Sequence, residues 1–155
     1  MSTRREFLEV AGPVAIAMAV ASDASAKTKE GLQMIFSSAA PKAIGPYSHA
    51  IKAGNVVYAS GQISLDPATG NLVEGDFSAQ ARRVFENLKS VLHDAGTDFG
   101  RVAKTTVYLA DLANFASMNS IYAEYFGDHK PARSTVGVAQ LPRGAALEID
   151  LVAIV

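Results

Sequence analysis

Apolar and polar positions beyond residue 30 follow two different periods. Short apolar runs bounded by turn residues predict strands at 33–36, 50–53 and 56–65. Gly54-Asn55 separates the second run from the third, and a Gly-Asn pair between apolar runs favours a β-hairpin.

Two longer segments have the 3.6-residue period of amphipathic helices. The first covers 77–95 and is followed by Gly96, a residue type that often ends a helix in the left-handed conformation. The second covers 115–126. Between them, segment 102–109 alternates with a period of two and predicts another strand.

Two final strands are predicted at 131–138 and from residue 146 onward, on either side of a Pro/Gly break. The predicted order is β-β-β-α-β-α-β-β, which favours an α+β sheet with both helices on one face. The last strand is apolar at both parities, a pattern typical of burial on both faces. The residues therefore predict an oligomer.

Composition excludes several kinds of site. The 155 residues, 49% of them apolar, are enough for one domain with a hydrophobic core. The chain has no cysteine, which rules out disulfides, thiolate zinc sites and a cysteine nucleophile. Its three histidines lack metal-ligand spacing, and its net charge of −1 comes with no basic stripe. Neither a metal site nor nucleic acid as the main partner is expected.

The first residues have the pattern of an export signal. Arg4 and Arg5 precede a short apolar run, and the Ala-Ser-Ala at 24–26 is a small-residue cleavage site. The adjacent arginines resemble the twin-arginine signal of bacteria. We expect a signal peptide over 1–26, a domain over 27–155 and a periplasmic location. A signal that does not function would leave the protein cytoplasmic.

The apolar run of this signal is shorter than a membrane span, which needs about 20 residues. A membrane anchor is therefore the weaker alternative, and no stable anchor is expected after cleavage. Cleavage after Ala26 removes two of the 14 basic and three of the 15 acidic side chains, which leaves a formal balance of zero. Overall charge then predicts no electrostatic steering.

Two charged residues stand inside apolar strand segments near the C-terminus: Arg133 and Glu148. Burying an unpaired charge costs several kcal/mol, so such residues are usually paired, at a rim or functional. In the functional interpretation Arg133 binds an anion and Glu148 handles a proton or a water. The alternative is a salt bridge at a strand edge.

Three further positions carry candidate polar groups, each with a structural alternative. Tyr47 follows a Gly-Pro turn, where its ring packs or lines a pocket. Ser60-Gly61 lies inside a predicted strand, where glycine marks a bulge or the close approach of a backbone or ligand. Asn119 lies beside the apolar stripe of the second helix and is either solvated or part of a site.

Several motifs, in order along the chain, resemble the RidA/YjgF family. They are Ile44-Gly45-Pro46-Tyr47, Ser60-Gly61-Gln62-Ile63, Lys104-Thr105-Thr106-Val107-Tyr108, Pro131-Ala132-Arg133-Ser134, and Leu141-Pro142-Arg143 with Glu148-Ile149. The resemblance implies a chorismate-mutase-like α+β fold and a homotrimer with active sites between subunits. It also implies hydrolysis of reactive enamines and imines, such as 2-aminoacrylate, to keto acids and ammonia without cofactor or metal.

The same resemblance implies roles for the candidate residues. Arg133 would bind the substrate carboxylate through both arms of its guanidinium, and Glu148 would activate the attacking water or carry its proton. Four other residues would line the pocket or contact the bound acid: Tyr47, Ser60, Gly61 through its backbone, and Asn119. Some of these groups would come from a neighbouring subunit.

The chain departs from the family pattern in three ways. Thr135 stands where many members have cysteine, and loop 127–130 looks shorter than in some members, which bears on substrate size. The export signal is the largest departure, because aminoacrylate arises in the cytoplasm. Imines released by periplasmic amino-acid oxidation are the expected substrates outside it.

Two other functions fit the same scaffold. A non-catalytic small-carboxylate-binding protein or a stress holdase is the alternative, because fold does not fix function. Some family members are reported as ribonucleases, and the neutral mature charge makes that activity the least favoured here.

Overall fold

A computed structural model describes residues 31–155 as a six-stranded mixed sheet with two α-helices. The strands are β1 (Leu32–Ile35), β2 (Ala50–Ala53), β3 (Val56–Gln62), β4 (Val102–Leu109), β5 (Ala132–Gly137) and β6 (Leu147–Ile154). The helices are α1 (Phe77–Asp94) and α2 (Phe115–Phe126). The predicted signal peptide, its cleavage site and the predicted start of the domain at residue 27 lie outside the described residues.

The strand order in the sheet is β1-β2-β3-β6-β4-β5. Only β4 and β5 are parallel among these six strands, and α2 forms the crossover between them. The predicted hairpin joins β2 to β3, where Ala53 pairs with Val56 and Gly54 has a φ of +62°. The last strand in sequence, β6, therefore lies between β3 and β4 near the centre of the sheet.

The ends of α1 are fixed by local hydrogen bonds. The Asp76 carboxylate accepts from the Ala79 backbone N–H at 2.9 Å and caps the N-terminus. At the other end Gly96 has a φ of +81°, and the Thr97 N–H donates to the Leu92 carbonyl at 3.0 Å. This is the Schellman arrangement that the position of Gly96 predicts.

Both helices cover the same face of the sheet, as the sequence predicts. Alternate side chains of β6 that point toward them are fully or almost fully buried: Leu147, Ile149, Leu151 and Ala153. They pack in one core with α1, through residues such as Phe85 and Leu88, and with Met118 of α2. Fully burying each large apolar side chain contributes about 1.5–3 kcal/mol, so this layer holds the sheet and helices together.

The other face of the sheet has no second layer within residues 31–155. The intervening β6 side chains, including Val152 and Ile154, are only partly buried, and Tyr58 on β3 is 53% exposed. Within residues 31–155, β6 is thus fully buried on one face only, whereas its sequence predicts burial on both faces. We call this surface the open face.

No helix among the described residues is long and apolar enough to cross a membrane.

The strand ends differ from the predictions by a few residues. The largest difference is in β3, which ends at Gln62 instead of residue 65. A register shift against β6 lies between Ala59 and Gln62, and beyond it Leu65 pairs only with Leu72 in an isolated bridge. The irregularity that ends β3 creates the first part of the candidate site.

Candidate active site

The Ser60-Gly61 pair forms the bulge that glycine inside a strand predicts. A β-carbon added to Gly61 would overlap Oε1 of Glu148 and lie 2.8 Å from its Cδ. The absence of a side chain at Gly61 leaves room for the Glu148 side chain, which crosses directly over the backbone. The sequence predicted a bulge or the close approach of a backbone or ligand, and did not predict that a side chain lies here.

Glu148 lines a cleft of about 280 Å³ at the end of β3. We call this cleft the glutamate cleft. Its lining residues are Ile44, Tyr47, Ser60, Gly61, Ile63, Pro142 and Glu148. Four of the six predicted site residues are brought together in this one place. Ile44, Ile63 and Pro142 were not predicted as site residues, although each stands within a motif that carries the family resemblance.

The polar groups of the glutamate cleft are held by their own backbone neighbours. The Tyr47 hydroxyl accepts from the Ile44 N–H at 3.3 Å, and the Tyr47 ring is 40% exposed. The Ser60 hydroxyl donates to the Ser48 carbonyl at 2.7 Å. Each hydroxyl therefore keeps free hydrogen-bonding capacity, as a donor at Tyr47 and as an acceptor at Ser60.

Glu148 is half-buried, and its surroundings favour the neutral carboxyl. Burial raises the pKa of Glu148, and the negative charge of Asp150, the next residue on the same face, raises it further. Tyr108 is the cross-strand partner of Glu148. The Tyr108 hydroxyl donates to the Asp150 carboxylate at 3.0 Å. A carboxyl group with an elevated pKa is suited to accepting and returning protons near neutral pH.

Arg133 lies in a different cleft of about 370 Å³, between α2 and the start of β5. This arginine cleft is lined by Asn119, Tyr122, Ala123, Phe126, Gly127, His129, Lys130, Pro131 and Arg133. Asn119 therefore lies with Arg133, whereas the other four predicted site residues line the glutamate cleft. Neither Tyr122, within the second predicted helix, nor Lys130, in loop 127–130, was predicted as a site residue.

The Arg133 guanidinium is positioned by aromatic rings. Its central carbon lies 4.7 Å from the centroid of the Tyr122 ring and 5.9 Å from that of Phe115. Tyr122 is itself fixed, since its hydroxyl shares a 2.8 Å hydrogen bond with the buried Thr105 hydroxyl. Stacking leaves the N–H groups on the guanidinium edge available for an anion.

The predicted alternative, a salt bridge at a strand edge, does not form at Arg133 or at Glu148 within residues 31–155. Arg133 pairs in register with Thr105, which faces the helices, whereas Glu148 pairs with Tyr108, on the open face. The two charges therefore lie on opposite faces of the sheet and two strands apart. Each cleft carries one of them.

Within residues 31–155, no three His, Asp or Glu side chains cluster so as to hold a metal ion. The predicted site residues supply a guanidinium, a carboxyl group, two hydroxyls and an amide.

Comparison with known proteins reveals close similarity over this region. The family described as Endoribonuclease L-PSP matches residues 37–155. A RutC family protein of Pyrococcus abyssi is 50% identical over 121 residues, which are 78% of this chain and 95% of that protein. The human protein named 2-iminobutanoate/2-iminopropanoate deaminase is 45% identical over 122 residues, 79% of this chain and 89% of that protein.

The fold also matches solved structures. A Yersinia pestis protein of the conserved Rid family, YyfA, described as of unknown function, is 46% identical with a TM-score of 0.78. The match covers 80% of this chain and 99% of that one.

Proposed function

Because this chain belongs to the RidA/YjgF family, we propose that it hydrolyses 2-imino acids, and the 2-enamines that tautomerise to them, to 2-keto acids and ammonia. Relatives named as 2-iminobutanoate/2-iminopropanoate deaminases support an enzymatic role. The observation that carries the proposal is the half-buried Glu148, held over Gly61 beside Tyr47 and Ser60 with an elevated pKa.

The complete site in this proposal contains residues of two protomers. Arg133 and Glu148 face opposite sides of the sheet, so the arginine cleft of one copy meets the glutamate cleft of another. The partly exposed apolar side chains of the open face support association of this kind. The assembly we propose is a homotrimer with three such sites.

Substrate binding begins with the carboxylate. The planar guanidinium of Arg133 donates two parallel hydrogen bonds to the substrate carboxylate. Because it already stacks on Tyr122, its side chain loses less conformational entropy on binding. Asn119, which lines the same cleft, donates or accepts a further hydrogen bond. The carbon of the C=N bond is thereby directed toward the partner's glutamate cleft.

Hydrolysis then needs a water and a group that moves protons. Glu148 accepts a proton as water attacks the imine carbon, and a C–O bond forms while the C=N bond becomes a C–N single bond. Glu148 returns this proton to nitrogen, which completes the carbinolamine. Glu148 then takes the proton of the carbinolamine hydroxyl as the C=O bond forms and the C–N bond breaks, and it passes this proton to the departing nitrogen, so that ammonia and the keto acid are released. Tyr47 and Ser60 hydrogen-bond the water or the substrate.

The test is release of ammonia and keto acid from imines generated in place by an amino-acid oxidase. The protein starting at Lys27 is compared with Arg133→Ala and Glu148→Gln. Arg82→Ala and Glu124→Gln are matched controls, since these residues pair with each other on the outer helices. We expect wild type and both controls to accelerate release and the two site variants to lose at least about 100-fold, roughly the contribution of general acid-base catalysis.

The outcomes separate the proposed activity from its alternative. Equal binding of a small carboxylate by wild type and Glu148→Gln, with no product from either, would indicate a binding protein. Failure of wild type on every imine, with the assembly intact, would remove the deaminase proposal.

Export is part of the proposal and has its own test. The family match begins at residue 37, so the segment with the paired arginines precedes it. Substituting Arg4 and Arg5 by lysine is expected to retain the full-length protein in the cytoplasm, measured by cell fractionation. Equal periplasmic amounts of both forms would exclude the twin-arginine route.

A further inference from the structure

The arginine cleft contains a second basic side chain that the proposed reaction does not use. Lys130 lines the same cleft as Arg133, three residues away along the chain. We propose that the site accepts 2-imino dicarboxylic acids, with the 2-carboxylate on Arg133 and the distal carboxylate on Lys130. This inference rests on the proposed imine-hydrolysing function and names a substrate class for it.

Lys130 is exposed, and a hydrogen bond to the backbone holds its side chain at the cleft. Its ammonium donates to the Gly127 carbonyl at 2.6 Å, at the C-terminal end of α2. An ammonium has three N–H donors, so two remain for a ligand. The Cα atoms of Lys130 and Arg133 are at most about 11 Å apart, and both side chains reach the space between them.

The lining of the arginine cleft carries the basic side chains of Arg133 and Lys130, and the lining residues drawn from the described part of the chain include no aspartate or glutamate. Glu124, on α2 next to the lining residue Ala123, forms its ion pair with Arg82. Asp128 lies between the lining residues Gly127 and His129 but does not line the cleft. In the proposed site the partner's Glu148 acts at the imine carbon, so Arg133 and Lys130 remain for two carboxylates of the ligand.

His129 is held by the backbone of a neighbouring strand. Its Nε2 lies 2.6 Å from the Val102 carbonyl and donates to it. This hydrogen bond also fixes the loop that carries Lys130. The two carboxylate-binding groups proposed for the cleft are Arg133 and Lys130.

The shape of the cleft suits a short methylene chain between two carboxylates. Its volume of about 370 Å³ exceeds what the smallest imino acids require. Tyr122 and Phe126, both largely buried, form an apolar floor on which methylene groups rest. The reaction itself is unchanged: water adds to the C=N carbon, the C–N bond breaks, and a 2-keto dicarboxylic acid and ammonia are released.

The experiment compares imines made in place from aspartate and glutamate with those made from alanine and 2-aminobutyrate. The measured quantity is the ratio of kcat/KM for the dicarboxylic imine to kcat/KM for the monocarboxylic one. We expect wild type to favour the dicarboxylic imines and Lys130→Gln to lower the ratio about tenfold, the effect of losing one charge-assisted hydrogen bond. Lys130→Arg retains the charge and is expected to keep the ratio, as is Lys89→Gln, a lysine on the outer face of α1.

A binding measurement keeps this inference separate from the proposed function. Calorimetric titration with 2-oxoglutarate and 2-oxobutanoate, which do not turn over, is expected to give tighter binding of the dicarboxylate and loss of that preference in Lys130→Gln. If wild type hydrolyses no imine, the proposed function fails and the calorimetric preference alone decides the inference. A wild type that favours monocarboxylates, or a ratio that Lys130→Gln does not change, would overturn it.

Discussion

Arg133 and Glu148 project from opposite faces of one sheet. Arg133 stacks on Tyr122 of α2 on the helix side, and Glu148 crosses Gly61 on the open face. Strand register fixes this relationship, because their partners on β4, Thr105 and Tyr108, are three residues apart and point in opposite directions. In the proposed function, chemistry that uses both groups on one small molecule therefore takes them from two protomers.

Mixed assemblies test this requirement directly. We predict that co-expressed Arg133→Ala and Glu148→Gln chains recover activity that neither has alone. If the chains assemble at random in equal amounts, about a quarter of the interfaces receive both intact residues, since each interface takes Arg133 from one chain and Glu148 from the next. The double variant expressed with wild type is the control for dilution. Complete inactivity of the mixed assemblies would place both groups in one subunit or outside the site.

Gly61→Ala is expected to inactivate the enzyme while the chain still folds. The added methyl group occupies the position of the Glu148 carboxylate, so this side chain has to move out of the glutamate cleft. Gly61 does not have a positive φ, so alanine introduces no backbone strain. We predict about a 100-fold loss of kcat/KM, measured with imine substrates, in line with the cost of a misplaced catalytic group. Near-normal kcat/KM in a folded variant would argue against a role for Glu148.

The pH dependence of activity is expected to follow Glu148. Burial and then Asp150 raise its pKa, so the ionised base forms only at a pH above the usual carboxyl range. The acid limb of the pH profile of kcat/KM should therefore lie at higher pH than for an ordinary glutamate. Asp150→Asn removes the repelling charge and should move this limb to lower pH while still accepting the Tyr108 hydrogen bond. An unshifted limb in Asp150→Asn would assign the titration to another group.

Glu148 also links stability to pH. Because its pKa is higher in the folded chain than in the unfolded one, the folded state favours the proton, and this contribution is complete below the unfolded pKa. It is lost as the pH rises through the folded pKa, where a charge must be held in a half-buried position. Glu148→Gln is thus expected to raise Tm relative to wild type near neutral pH and to lose that advantage in acid. A stabilisation that is equal at both pH values would contradict the linkage.

The hydrogen bond between the hydroxyls of Tyr122 and Thr105, beneath Arg133, leads to a separate prediction about stability. Tyr122→Phe leaves the buried Thr105 hydroxyl without its partner, which is expected to cost about 1–3 kcal/mol of unfolding free energy. Thr105→Val combined with Tyr122→Phe removes both polar groups and should cost less than the sum of the two single changes. Urea unfolding at one fixed protein concentration measures all four forms. Strict additivity would mean that the hydroxyls act independently.

Local sequence determined the elements of this protein and several of their ends. The period of apolar residues predicts each strand and helix to within a few residues, and Gly96 ends α1 by the local geometry that its sequence position suggests. The Ser60-Gly61 bulge is likewise a local feature. These predictions succeed because side-chain periodicity and glycine conformations depend on neighbours along the chain.

Tertiary structure decided how the candidate site residues are distributed. Because β6 lies between β3 and β4 in the sheet, Glu148 on β6 lies over Gly61 on β3, although the two residues are far apart in sequence. The parallel register of β5 turns Arg133 toward Tyr122 and brings Lys130 into the same cleft. A period of two indicates that a strand has two faces, but only pairing with distant strands determines which face meets the helices. Sequence therefore supplied the chemistry of the two clefts, and the long-range pairings separated them onto opposite sides of the sheet.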